Sequence, residues 1–412
     1  MARILILIGA HLASAPRPQK EAMALLAAGH DVEILGVWSS QAWVERDALL
    51  MQEGIWHFQP ALDFRPQGWR GMVKNIGVRL QSRWARELFR RRGRVTPALL
   101  GYGVHHLLRA ALARRADLTI VHAEGGLWVG EQLRQAGLRV GVDFEDWFSE
   151  DLTAAMRQSR PLTFLRRLEQ DALRNCRYAL TTSHALAASL AERYETPAPQ
   201  VVYNVFPWAD RETLDTLALD RPPGRQRVSL HWFSQTLGPG RGLEFLFAAL
   251  PHMRIPVEIH LRAQDSPGSR EWLARQLSPV WRERVFVHPL VPNRDLLSRI
   301  AEHDVGLSLD DTVIPSRDLT VTNKLFQYLL AGLFIVATDT RGQREILGDH
   351  PEAGILVPSG DARHLAAALD ELAGNPLRLA AGRKAALELA KSRYCWELQA
   401  PVVVEAVERA LQ

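Results

Sequence analysis

Cysteine is nearly missing from this chain of 412 residues: there are two, Cys176 and Cys395, far apart and without ligand-like spacing. That excludes a disulfide framework and a cysteine-based zinc site, and it fits a reducing compartment such as the cytoplasm. Long apolar runs are missing too, since none reaches the roughly 18–20 residues needed to span a bilayer. The opening MARILILIGAHLASAP resembles a signal segment, yet its apolar stretch is only about eight residues long and a helix-like continuation follows. Ile4–Ile8 is therefore expected to be a first buried strand. No recognised nucleic-acid-binding motif is present, so nucleic acid is not an expected partner. What remains is the composition of a folded protein, 47% apolar and 23% charged. The length exceeds one ordinary core and implies two domains.

The formal net charge is only +4, but it is unevenly spread. Between residues 65 and 94 lie Arg65, Arg70, Lys74, Arg79, Arg83, Arg86, Arg90, Arg91, Arg92 and Arg94 against the single acid Glu87. Trp69, Met72, Val73, Ile76, Leu80, Trp84 and Phe89 are interleaved with them. Two readings stay open: a solvated helix face, or a surface for anionic lipid head groups or an anionic acceptor. The second would make the protein peripheral at the inner face of the cytoplasmic membrane.

Apolar strand-like runs alternate with helical patterns over nearly the whole length, as in parallel sheets covered on both faces. The strands expected in the first half are Ile4–Ile8, Val32–Val37, Leu118–His122, Arg139–Asp143, Tyr178–Thr182 and Gln200–Tyr203. Between them stand a helix through Ala22–Ala28, a loop at Ala123–Gly126 and a helix over about 127–136. A polar stretch containing Pro222-Pro223-Gly224 then suggests a linker. The alternation restarts with strands at Val228–Phe233, Pro256–Arg262, Val285–His288, Val305–Leu309 and Leu333–Thr338, and helices at Gly242–Leu250, Thr322–Ala331, Ala362–Ala373, Leu377–Leu389 and Cys395–Leu411. The expected architecture is α/β: two doubly wound, Rossmann-like domains facing across a cleft. Their bounds are 1–207 and 228–392, with a linker at 208–227 and a final helix, 393–412, packing back toward the first domain. In such sheets ligands bind at the carboxyl ends of the strands.

Two segments of the second half suit an anion. In HWFSQTLGPGRGLEFLFAAL (231–250) a strand runs into Gly238-Pro239-Gly240 and a helix opens near Gly242. Glycines let backbone approach an anion, the helix start offers free N–H groups, and Arg241 adds a full charge. An exposed Arg on a tight turn is the plain alternative. In TVTNKLFQYLLAGLFIVAT (320–338) Thr322 caps a helix whose first turn holds Lys324, and Gln327 shares its face one turn on. That pairing suits a phosphate and a sugar hydroxyl, against the alternative of a solvated, capped helix.

These motifs, with NKLFQYLLAGLFIVATDTRGQREIL (323–347) and GILVPSGDARHLAAAL (354–369), resemble the retaining glycosyltransferases of family 4, which have the two-domain GT-B fold. APRPQKEAMALLAAGHDVEIL (15–35), VDFEDWFSED (142–151) and VVYNVFP (201–207) extend the resemblance through the first half. It implies transfer of a sugar, with retention and without a metal, from a nucleoside-diphosphate sugar to a saccharide, lipid-linked or other envelope-type acceptor. No cofactor is implied beyond that donor. It places the donor diphosphate at Gly240, Arg241, Gly242 and Lys324, and the ribose at Gln327, where the family usually has a glutamate. The family's other glutamate falls at Leu319, and Gln235 stands where an arginine is common, so the chain is an atypical member. An acid nearby could come from Asp310, Asp311 or Asp318.

The remaining site candidates are His288 and Glu345 on the donor side. On the other domain Arg17 and Lys20 are expected anion contacts. His122 and Glu124 lie in His122-Ala123-Glu124-Gly125-Gly126 at a strand end, His122 as either a cleft residue or a satisfied buried histidine, and Glu124 as the acid that orients an acceptor hydroxyl or the sugar. Asp143, Glu145 and Asp146 at the next strand end are either acceptor contacts or a solvated loop. Catalysis is assigned to Glu124, His122, Arg241 and Lys324. Two other readings are kept: a sugar-nucleotide epimerase of the same fold, which needs a solvent-shielded acid/base set, and a non-catalytic partner of another transferase, suggested by Leu319 and Gln327.

Overall fold

The computed structural model describes residues 1–52, 57–65, 68–215, 227–265 and 267–412. The chain divides into two compact units, Met1–Val202 with Ala400–Gln412, and Tyr203–Gln399.

Unit 1 is built on a sheet of seven parallel strands. They are β1 (Arg3–Leu7), β2 (Asp31–Trp38), β3 (His57–Asp63), β4 (Leu118–Val121), β5 (Val140–Phe144), β6 (Ala179–Thr181) and β7 (Gln200–Val201), in the order β3-β2-β1-β4-β5-β6-β7. The central strands, RILIL and LTIV, are near-continuous apolar runs, broken only by Arg3 and Thr119, because helices cover both faces of a parallel sheet. The helices in order are α1 (Pro16–Ala27), α2 (Gln41–Gln52), α3 (Gly68–Arg92), α4 (Val104–Arg114) and α5 (Ala123–Gln135), with Leu162–Asn175 and His184–Tyr194 beyond them. Strand β3 went unassigned in the sequence because Pro60 interrupts it. Its place at the sheet edge is where a missing N–H is tolerated. The expected loop at Ala123–Gly126 is instead the first turn of α5.

Unit 2 repeats the pattern with six parallel strands: β8 (Ser229–Thr236), β9 (Glu258–Gln264), β10 (Val285–His288), β11 (Val305–Ser308), β12 (Phe334–Thr338) and β13 (Gly354–Val357). Their order, β10-β9-β8-β11-β12-β13, reverses direction between β8 and β11, as unit 1 does between β1 and β4. Each sheet therefore has a switch point where two loops diverge at the carboxyl ends of adjacent strands. The core of unit 2 centres on Trp232, Leu261, Leu307, Phe334 and Val336, all fully buried. The helix Asn323–Ala331 ends on Gly332, whose left-handed φ of 71° stops it.

Of the expected linker at 208–227, Trp208–Thr213 is a short 3-10 helix, and 216–226 lie outside the described residues. The last helix, Trp396–Leu411, contributes Val407 and Ala410 to the core of unit 1 with Ile4, Ile6, Val32 and Ile34. No helix among the described residues is long and apolar enough to cross a membrane.

Candidate active site

At the switch point of unit 1 a polar network is buried except at one end, Glu145. Arg17 opens α1 and is fully buried. Its Nε donates to Asp143 Oδ2 at 2.6 Å and its Nη1 to the Val202 carbonyl at 2.7 Å. One turn on, Glu21 is equally buried and meets His122 Nε2 at 2.8 Å, while His122 Nδ1 lies 2.9 Å from Glu145. With a carboxylate on each ring nitrogen, both nitrogens serve as donors, and His122 is held as an imidazolium. Burial alone would lower its pKa, but Glu21 and Glu145 outweigh it and push it up to about 10. Burial and the neighbouring Asp143 push Glu21 up to about 7, with His122 and Arg17 opposing. Asp143 stays low despite its burial, because the Arg17 guanidinium and the His122 imidazolium face it. The backbone is strained beside this histidine, since Ala123 takes a left-handed φ of 60°, which a residue with a Cβ adopts rarely.

These facts correct several expectations. Arg17 and Lys20 are buried, so neither is an open anion contact. Arg17 instead neutralises Asp143, which leaves the acid cluster at the β5 end. Glu145 and Asp146 are half-buried there. Glu124 is no free loop acid: it sits in the first turn of α5, ion-paired with Arg160, and burial raises its pKa against that pairing. His122, Asp143 and Glu145 thus come together, while Glu124 joins a different pair. Glu21 went unnoticed in the sequence. Its four-residue spacing from Arg17 on one helix face was the available signal. One atom each of Glu21, His122 and Asp143 falls within 4.8 Å of the others, a spacing compatible with a metal. Arg17 and the His122 imidazolium already supply the positive charge that such an ion would bring.

At the switch point of unit 2, β8 runs into the loop 237–242. Gly242 has φ 82°, and a Cβ there would lie 1.8 Å from the Leu309 carbonyl oxygen, so the turn admits only glycine. Gly240 donates its N–H to Glu244 at 2.6 Å. Its carbonyl accepts from Arg317 Nη1 at 3.2 Å, a second cation at the loop that the sequence did not suggest. The Trp232 indole holds the Arg241 carbonyl at 3.2 Å. The Arg241 side chain itself is exposed, with no partner among the described residues. Gln235, two residues from the loop, is exposed as well.

Lys324 lies in the first turn of Asn323–Ala331, after β11, with Nζ 3.8 Å from Asp310. Of the three acids that the sequence left open, only Asp310 faces Lys324. Asp318 is bound to Arg341 at 2.7 Å, and Asp311 caps its own turn through the Val313 N–H. Gln327 is half-buried one turn beyond Lys324, and Leu319 is core. Glu345, on the helix Arg341–Leu347, accepts from the Tyr203 hydroxyl at 2.8 Å. His288, at the end of β10, is engaged by His260 at 3.0 Å, and burial with nearby Arg262 lowers its pKa.

No curated protein matches the chain in sequence. Residues 231–375 match the model of the family "Glycosyl transferases group 1". Unit 2 carries a group 1 glycosyltransferase domain. The matched stretch runs from His231 in β8 to Asn375 and holds the glycine loop, Asp310, Lys324, Gln327 and Glu345. Over its whole length the chain is similar to Anabaena HepE in complex with UDP-glucose, with a TM-score of 0.70 at 15% identity, covering 99% of this chain and 100% of that one. It is also similar to sucrose-phosphate synthase from Thermosynechococcus elongatus (TM-score 0.69, 14% identity, 99% of each chain). A third likeness is to S. aureus MnaA with UDP (TM-score 0.60, 11% identity, 100% of this chain and 97% of that). At such identities the likeness is one of fold, and the fold is GT-B.

Proposed function

We propose that the transferase moves a glycosyl unit, with retention and without a metal, from a nucleoside-diphosphate sugar whose diphosphate sits at the loop 237–242. The observation that carries this reading is the meeting of two cation-bearing segments at one switch point, Arg241 after β8 and Lys324 after β11, inside the matched stretch. The diphosphate leaves from an oxocarbenium-like centre, and cations already placed at it stabilise the charge as it develops. Arg317 adds to that field. Gln327 takes the ribose as an uncharged partner, and Glu345 the sugar. The acceptor is a saccharide or lipid-linked molecule presented at a membrane face, the subject of the inference below.

UDP is the probe, because HepE is seen with UDP-glucose. Titration calorimetry of UDP with Arg241→Ala and Lys324→Ala is expected to show a loss of roughly tenfold or more each, as for a charge-assisted hydrogen bond of about 1.5–3 kcal/mol. Unchanged affinity in both sinks the site. Release of UDP from UDP-glucose in the presence of membrane lipid extract measures turnover.

The buried pair Glu21–His122 supports a second reading, epimerisation of the sugar nucleotide, which requires acid/base groups shielded from water. Incubating the donor without acceptor separates the two: an isomerised sugar favours epimerisation, an intact one transfer. Binding without either product favours a non-catalytic partner.

A further inference from the structure

We infer that the outer face of α3 is a docking surface for an anionic lipid bilayer. Along this helix of 25 residues Asn75, Val78, Ser82 and Ala85 are buried and mark the inner face. Trp69, Met72, Val73, Ile76, Leu80 and Trp84 lie opposite them and are each between 49% and 71% exposed. At 3.6 residues per turn these six fall within a sector of roughly 120°. A solvated helix reverses this pattern and turns its charges outward. Six large apolar side chains in one line are far more than the scattered exposed hydrophobics of an ordinary surface.

The charges decide what covers them. Arg79, Arg83, Arg86 and Arg90 follow one flank of the stripe. On the other, Lys74 faces Arg109 and His106 of α4 across an open depression that they line with Ala61 and Ala110. Glu87, the only acid on the helix, is already paired with Arg90 and Arg91. A protein partner would meet a rim of mixed sign around an apolar centre. A rim of one sign, set beside the apolar line, matches the phosphates of a leaflet while Trp69 and Trp84 enter the acyl boundary. The helix has too many cations to span, so it lies flat in the interface. The inference does not rest on the donor reading, since α3 belongs wholly to unit 1 and UDP binding is measured separately.

The test is co-sedimentation of the full chain with vesicles of phosphatidylcholine alone or mixed with phosphatidylglycerol. Wild type is expected to bind the anionic vesicles and to lose most binding as salt rises from about 0.1 to 0.5 M. Ile76→Glu with Leu80→Glu, and separately Arg79→Glu with Arg83→Glu, are each expected to lower the partition roughly tenfold, with circular dichroism and UDP affinity unchanged. Equal binding to both vesicle types overturns the inference, as does a variant that sediments like wild type. Competition by free inorganic phosphate would reassign the cations to a soluble anion. A dimer abolished by Ile76→Glu with Leu80→Glu would reassign the stripe to a protein interface.

Discussion

Replacing Glu21 and His122 together by glutamine should flatten the fall of stability with rising pH. In the native protein the His122 side chain is 2% exposed and lies between two carboxylates. Its folded pKa of about 10 stands above the ordinary 6.5. A histidine raised in this way contributes stability that is fully present below pH 6.5 and is lost as pH climbs toward 10. Glu21 acts in the same direction, because its carboxyl keeps a proton up to about pH 7 where an unfolded one loses it near 4.5. Between pH 6.5 and 8.5 the unfolded histidine gives up its proton while the folded one keeps it, so at about 1.36 kcal/mol per pH unit for a full proton His122 accounts for a loss of about 2 kcal/mol. The double variant Glu21→Gln with His122→Gln carries neither proton, and the uncharged amides preserve shape and polarity. The assay is urea unfolding at pH 6.5, 7.5 and 8.5, with hydrogen exchange of the β4 amides assigning the change to unit 1. The wild-type free energy should fall by a few kcal/mol across that range and the variant's far less. Equal slopes would show that His122 is not held as an imidazolium, and the reasoning from its two carboxylates would fail.

Two further substitutions test the frame around the sites. Arg17→Ala strands the buried carboxylates of Asp143 and Glu21 and is expected to cost roughly 3–5 kcal/mol in urea unfolding. Arg17→Leu with Asp143→Leu removes both charges and should recover most of that. Gly242→Ala forces a Cβ onto the Leu309 carbonyl at a left-handed φ, so a loss of roughly 1–3 kcal/mol is expected by thermal melting, with weaker UDP binding as the loop shifts.

Much of the frame was legible in the amino acids because parallel strands, buried on both faces, are unbroken apolar runs. Val285–His288 coincides with β10, and Leu333–Thr338 differs from β12 by one residue. Strand β3 escaped because Pro60 and the polar residues around it break both periodicities, and only its edge position explains it. The Gly-Arg-Gly turn was visible as a turn, since a glycine before a helix has few other uses. The companion cation Arg317 was not, because 77 positions separate it from Gly240.

By itself the sequence determined the class of the fold, two parallel α/β sheets, and the segments that carry backbone and charge to the carboxyl ends of the strands. It did so because those features are local: a run, a turn, a cap, a spacing. Only the tertiary structure decided which charges are spent on one another. Arg17 and Asp143, 126 positions apart, cancel inside the protein, and Glu124 is taken by Arg160. Glu21 and His122, 101 apart, share a site where water is excluded and charge is therefore costly unless paired. Arg241 is left with its side chain in solvent. Pairing depends on distance in space and on burial, and neither is written in the order of the residues.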